Sequence, residues 1–122
     1  MKVILVVDDK PEIAKVITVY LSAEYEVHYM EDPIKAISWL MSGNFPNLII
    51  TDIQMPNMNG GEFLKFLKSS ELFKAIPVLV LSSIEGSEER IQLLEDGASD
   101  FLLKPFNPQE LKIRIKNILR GG

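Results

Sequence analysis

Four short apolar runs in this chain each stop at a reactive polar residue, and that repeated ending constrains the fold more than any other feature. Val3 to Val7 run into Asp8-Asp9, Leu48 to Thr51 into Asp52, Val78 to Leu81 into Ser82-Ser83, and Phe101 to Leu103 into Lys104-Pro105. Short continuous apolar runs, rich in β-branched residues and separated by helix-length amphipathic stretches, are the pattern of parallel strands buried on both faces by crossover helices. Parallel strands share one carboxyl edge, and open α/β sheets bind ligands at that edge. Three carboxylates, a hydroxyl and an ammonium are therefore expected to converge there.

The segments between the runs supply the rest of a doubly wound α/β domain of five strands and five helices. Pro11 opens a helix carrying Ile13, Val16, Ile17, Tyr20 and Leu21 to about Ala23. Tyr25 to Met30 alternates apolar and polar residues, as a more exposed edge strand does. Asp32-Pro33 caps a second helix with Ala36, Ile37, Leu40 and Met41 on its apolar stripe, ending at Gly43. Gln54 to Gly61 is too rich in turn formers for regular structure and reads as a loop beside Asp52. A third helix spans Glu62 to Ser69, and a fourth, N-capped by Ser87, buries Ile91 and Leu94 and ends at Gly97. Asn107-Pro108 caps the fifth, with Leu111, Ile115 and Ile118 on one stripe. The first strand belongs in the middle of the sheet, because Asp8-Asp9 must meet both Asp52 and Lys104.

Composition limits what such a domain does. At 122 residues one domain is expected. The absence of cysteine excludes disulfides and thiolate metal sites and fits a reducing, cytoplasmic setting. No apolar run is long enough to span a bilayer, so no membrane role is expected. A net charge of −4 argues against direct nucleic-acid binding. Lys112, Arg114, Lys116 and Arg120 read as a solvated helix face.

Crowded carboxylates repel one another and partly reprotonate unless a cation neutralises them, and Mg²⁺ is suited to the task through a few oxygen ligands and retained waters. Asp8 and Asp9 alone could be helix-capping residues; a third acid at another strand end favours a metal site. Asp52, on a strand end beside an open loop, suits a nucleophile that takes a phosphoryl group as an acyl phosphate. Lys104 supplies the positive charge such a group needs, and Ser82 is placed to hydrogen-bond one of its oxygens.

Over essentially its whole length, residues 1–120, the chain resembles the receiver domain of two-component response regulators, through Asp8-Asp9, the Asp52-x-x-Met55-Pro56-x-Met58-x-Gly60 loop, Ser82-Ser83 and Lys104-Pro105. The resemblance implies a flavodoxin-like fold with strand order 2-1-3-4-5, leaving residues 121–122 as a tail or the start of a linker. It implies phosphorylation of Asp52 by a sensor histidine kinase or phosphotransfer protein. Mg²⁺ or Mn²⁺ would be held by Asp8, Asp9, Asp52 and the backbone carbonyl of Gln54. The domain is then a phosphoacceptor, not an ordinary enzyme, assisting only its own phosphotransfer and autodephosphorylation. Lys104 would pair with the phosphoryl group, on a cis Lys104-Pro105 bond. Ser82 would move toward it and Phe101, where an aromatic switch residue stands, would turn inward. The surface of the fourth helix, fifth strand and fifth helix would then regulate an output domain or effector, or form a homodimer.

Some positions are particular to this chain. Asn59 replaces a frequent aspartate, and Ile84 and Gln54 sit where the family tunes acyl-phosphate lifetime; apolar Ile84 is expected to lengthen it. His28 is the sole histidine and is expected to be solvated and inert, so the phosphohistidine belongs to a partner. Trp39 reads as packing or a partly exposed surface aromatic, and Met55 and Met58 as loop packing. Two other functions remain open. A Mg²⁺-dependent phosphatase of the haloacid dehalogenase type also forms an aspartyl phosphate, but needs an acid where Gln54 stands. A protein-docking module that is never phosphorylated is the third reading.

Overall fold

A computed structural model describes residues 1–83 and 86–121. Five strands, β1 (Lys2–Val7), β2 (Tyr25–Met30), β3 (Leu48–Asp52), β4 (Val78–Ser82) and β5 (Asp100–Leu103), alternate with α1 (Pro11–Leu21), α2 (Pro33–Met41), α3 (Gly60–Ser69), α4 (Ser87–Glu95) and α5 (Pro108–Gly121). All pairings are parallel and the sheet order is β2-β1-β3-β4-β5, with β1 beside β3 as expected. Because side chains alternate across a strand, each run feeds two cores. Leu5, Val7, Ile49, Val78 and Val80 pack under α2, α3 and α4, whereas Ile4, Val6, Ile50, Leu79 and Leu81 pack under α1 and α5. That two-sided burial explains why the runs are continuously apolar. β2, on the edge, has no fully buried residue.

Helix faces depart from the expected stripes in a consistent direction. In α1 the buried side chains are Ala14, Ile17 and Leu21, while Val16 and Tyr20 are exposed. Met41 of α2 is exposed, and Pro33, Ala36 and Leu40 fill its buried face. In α4 the difference is largest: Leu93 alone is buried, and Ile91 and Leu94 face solvent at 54% and 45% exposure. A short helix laid on a twisted sheet touches it along a narrow line, so apolar residues beside that line stay outside. Ser87 is the first residue of α4, and Gly86, which has no side chain to offer, is the N-cap.

The loop before α3 is two residues shorter than expected. Asn59 caps α3 by accepting from the Glu62 amide at 2.9 Å, while the Asn59 amide donates to Glu62 Oε1 at 3.2 Å, a complete capping box. Gly60 and Gly61 consequently lie in the helix. Gly60 is required by proximity: a Cβ there would lie 2.3 Å from the Asp52 carbonyl oxygen and 2.7 Å from Ile53 Cα. Gly43 and Gly97, at φ of 101° and 111°, supply the left-handed turns after α2 and α4. At the other end of the chain α5 extends to Gly121, one residue beyond the expected domain limit.

Candidate functional site

Asp8, Asp9, Asp52, Ser82 and Lys104 all emerge at the carboxyl edge of the sheet. Asp52 closes β3, Ser82 closes β4, and Asp8 and Lys104 directly follow β1 and β5. One oxygen from each of Asp8, Asp9 and Asp52 lies within 4.8 Å of the others. Asp8 and Asp52 are 1% and 3% exposed, while Asp9 stands at the mouth. The helix-capping role open to the doublet is not taken, since the N-cap of α1 is Lys10.

Each buried carboxylate is held in a defined orientation. Asp8 Oδ1 accepts from the Lys10 amide at 2.8 Å, and Oδ2 from Lys104 Nζ at 3.2 Å. The Tyr29 hydroxyl, reaching in from β2, donates to the Asp8 carbonyl at 2.8 Å. Asp52 Oδ1 accepts from the Ile53 amide at 2.9 Å and lies 3.2 Å from Lys104 Nζ. Asp52 Oδ2 is buried and receives no hydrogen bond from the described residues. A buried carboxylate oxygen without a donor is costly, and Asp52 shares this edge with the carboxylates of Asp8 and Asp9. The set therefore fits a hard divalent cation, whose oxygen preference it matches.

Burial raises the Asp8 carboxyl above the usual carboxylate range, helped by the Asp52 charge, against the lowering effects of the Lys10 amide and the Lys104 ammonium. For Lys10, burial acts downward but is outweighed by Asp52, Asp9 and Asp8, so its ammonium is held more firmly protonated than usual. Burial, and then the nearby Asp8 charge, likewise raises the Tyr29 hydroxyl.

Lys104 sits between Asp8 and Asp52 with its side chain 14% exposed. The Lys104-Pro105 bond is cis, as the resemblance implied, and the Lys104 amide donates to the Ser82 carbonyl at 2.8 Å. Ser82 is fully buried, and Phe101 is 8% exposed. Both line a cavity of about 290 Å³ between α3 and α4, and Arg90 of α4 lies 6.0 Å from the centre of the Phe101 ring. Gln54, exposed in the loop, lines the open cleft with Asp9, Met55 and Pro56. Met55 and Met58 pack against the core below. Ile84 lies outside the described residues.

The sequence reading missed Lys10. Its ammonium lies 3.5 Å from Asp9 and 3.7 Å from Asp52 Oδ2. The available signal was a lysine just ahead of a helix, where cations oppose the dipole. His28 is also less isolated than expected: its ring lies tilted against Trp39 with centroids 5.1 Å apart, and Nε2 lies 2.6 Å from Glu26. The α5 cations do not form a bare basic stripe. Arg114 pairs with Asp100 and Glu110, Lys116 with Glu24, and Lys112 covers the Tyr20 ring. Among the described residues no helix is long and apolar enough to cross a membrane.

The chain is 38% identical over 120 residues to the phosphate regulon transcriptional regulatory protein PhoB of Pseudomonas aeruginosa, covering 98% of this chain and 52% of that protein. It is 36% identical over 116 residues to the sensor histidine kinase TmoS of Ectopseudomonas mendocina, covering 95% of this chain and 12% of that one. The chain thus spans about half, or far less, of these curated relatives. Among solved structures, the receiver domain of the Francisella response regulator 1452 superimposes with a TM-score of 0.90 at 30% identity, covering 98% of both chains. The chemotaxis response regulator CheY4 of Vibrio cholerae gives 0.88 at 31%, covering 97% of this chain and 98% of that one. Residues 4–116 match the family model described as "Response regulator receiver domain". With that match taking in all five strands in whole or in part and the acidic edge they form, the chain belongs to the family of response regulator receiver domains, phosphoacceptor signalling domains of two-component systems.

Proposed function

We propose that Asp52 is the phosphoacceptor of a switch charged by a sensor histidine kinase or phosphotransfer protein. The observation that carries this reading is Asp52 itself. Oδ1 is engaged by the Ile53 amide and Lys104, whereas Oδ2 is buried, accepts no hydrogen bond from the described residues and has the half-exposed Lys10 ammonium 3.7 Å away. Oδ2 is thus the oxygen open to a phosphorus atom. The transfer breaks the phosphorus–nitrogen bond of the partner's phosphohistidine and forms a phosphorus–oxygen bond to Asp52; the imidazole leaves with the nitrogen electron pair.

Lys104 is close enough to neutralise the phosphoryl oxygens as they arrive. A Mg²⁺ or Mn²⁺ ion held by Asp8, Asp9, Asp52 and the Gln54 carbonyl would screen the carboxylates from the phosphoryl charge. Ser82 then turns toward a phosphoryl oxygen and Phe101 moves into the space released, an inward shift that the adjoining cavity has room for. The readout is the surface of α4, β5 and α5, which exposes Ile91, Leu94, Leu103 and Ile113 and so suits an output domain, an effector or a second copy. Slow autodephosphorylation resets the switch, with Ile84 setting its rate. The setting is cytoplasmic, where the kinase delivers its phosphoryl group.

Incubation with Mg²⁺ and acetyl phosphate, followed by intact-mass measurement, tests the proposal. One phosphoryl group should appear on the wild type and none on Asp52→Asn. Multiple-turnover release of phosphate from ordinary phosphoesters would instead identify a phosphatase, and an unmodified protein would identify a docking module.

A further inference from the structure

Lys10 is the cation at the acidic cleft to which the proposed phosphotransfer gives no task. Its backbone amide is fixed by Asp8 at 2.8 Å, and its ammonium reaches Asp9 at 3.5 Å and Asp52 Oδ2 at 3.7 Å. Asp9 and Asp52 are two of the three carboxylates available to a divalent ion. Lys104 differs in both respects: it bridges Asp8 and Asp52 and is 14% exposed, whereas the Lys10 side chain is 49% exposed and able to leave toward solvent.

Lys10 also runs against the needs of its own helix. It is the N-cap of α1, in extended conformation, with no side-chain hydrogen bond to the first turn. That position favours Ser, Thr, Asp or Asn, and a positive charge there opposes the helix dipole. Residues that break a local rule are expected where function outweighs stability.

We propose that Lys10 is an internal counterion that neutralises the open side of the acidic cleft, weakens its affinity for the divalent ion, and swings out when that ion binds. The inference rests on reading the cleft as a metal and phosphoryl site. An ammonium among the ligand carboxylates repels an incoming dication and competes for the same oxygens. Binding must therefore displace it. Lys10 sets the magnesium concentration at which the domain becomes ready for phosphotransfer, and keeps the metal-free cleft neutralised.

Calorimetric titration of Mg²⁺ into the full chain tests this without reference to phosphorylation. Lys10→Gln should bind roughly tenfold more tightly than the wild type, the order expected for removing a unit charge a few ångströms from a dication, and Lys10→Arg should stay within about twofold. Thermal melting supplies the second readout. Lys10→Gln should melt below the wild type in EDTA, and that deficit should disappear in saturating Mg²⁺. Equal affinities, weaker binding by Lys10→Gln, or the same melting deficit in both buffers would overturn the proposal. If the wild type, Lys10→Gln and Lys10→Arg all fail to bind Mg²⁺, the metal reading of the cleft falls and this inference falls with it. Binding that Asp52→Asn weakens while Lys10→Gln leaves it unchanged overturns the role of Lys10 alone.

Discussion

Asp8 carries two opposed demands in one carboxyl group. Burial raises its proton affinity, yet the metal-ligand role proposed for it needs the ionised form. The sign of the resulting pH dependence follows directly. A group whose folded pKa lies above its unfolded value contributes stability that is complete below the unfolded value of 3.8 and is lost as pH rises through the folded one. At neutral pH, metal-free Asp8 therefore costs stability. Asp8→Asn should melt a few degrees above the wild type in EDTA at pH 7, and the gap should close in acid, where Asp8 is protonated too. Calorimetry at both pH values checks this; equal melting temperatures at pH 7 would show that Lys104 fully offsets the burial. The roles expected from the sequence for Asp8, Asp52 and Lys104 were drawn from their strand-end positions, and the structure brings the three side chains together. Lys10 needed side-chain distances, because a lysine following two aspartates has the same sequence whether it points into the cleft or into solvent.

The link between Asp52 and α3 belongs to the scale of the element. The loop leaving β3 returns within a few residues, so that the Gly60 amide donates to the Ile53 carbonyl at 2.8 Å and α3 starts against the backbone of Asp52. Gly60→Ala would place a methyl group 2.3 Å from a carbonyl oxygen that is itself part of the sheet edge. Neither partner is a flexible side chain, so the helix must shift. A loss of about 2 kcal/mol, seen as a fall of several degrees in melting temperature, is expected from overpacking of this kind. Acetyl phosphate should also modify the variant more slowly, because the displaced loop carries Gln54 and flanks Asp52. A variant with wild-type stability and rate would show that the loop absorbs the methyl group. Strand limits were legible because apolar runs end abruptly; the helix faces of α1, α2 and α4 were not. Apolar periodicity marks candidates for burial, and the contact line on a twisted sheet decides among them.

At the scale of the whole molecule, the misread helix faces acquire a use. Ile91 and Leu94 of α4, Leu103 of β5 and Ile113 of α5 are all exposed, between 38% and 58%, on the elements next to Ser82 and Phe101. Exposed apolar side chains on adjoining elements favour association. With a beryllofluoride mimic of the phosphoryl group, sedimentation should show a shift from monomer toward dimer, and Ile113→Asp should weaken that dimer at least tenfold, a loss of roughly 1.4 kcal/mol. Unchanged association in the variant would place the contact elsewhere. By itself the sequence determined the alternation of strands and helices, the central position of β1 and the convergence of polar strand ends, because hydrophobic period and connection rules act locally and leave few topologies. Tertiary structure decided which carboxylate oxygen is left without a donor among the described residues, which lysine is buried and which is half exposed, and which helix residues face solvent. Those outcomes depend on distances between segments far apart in the chain, and no local pattern encodes them.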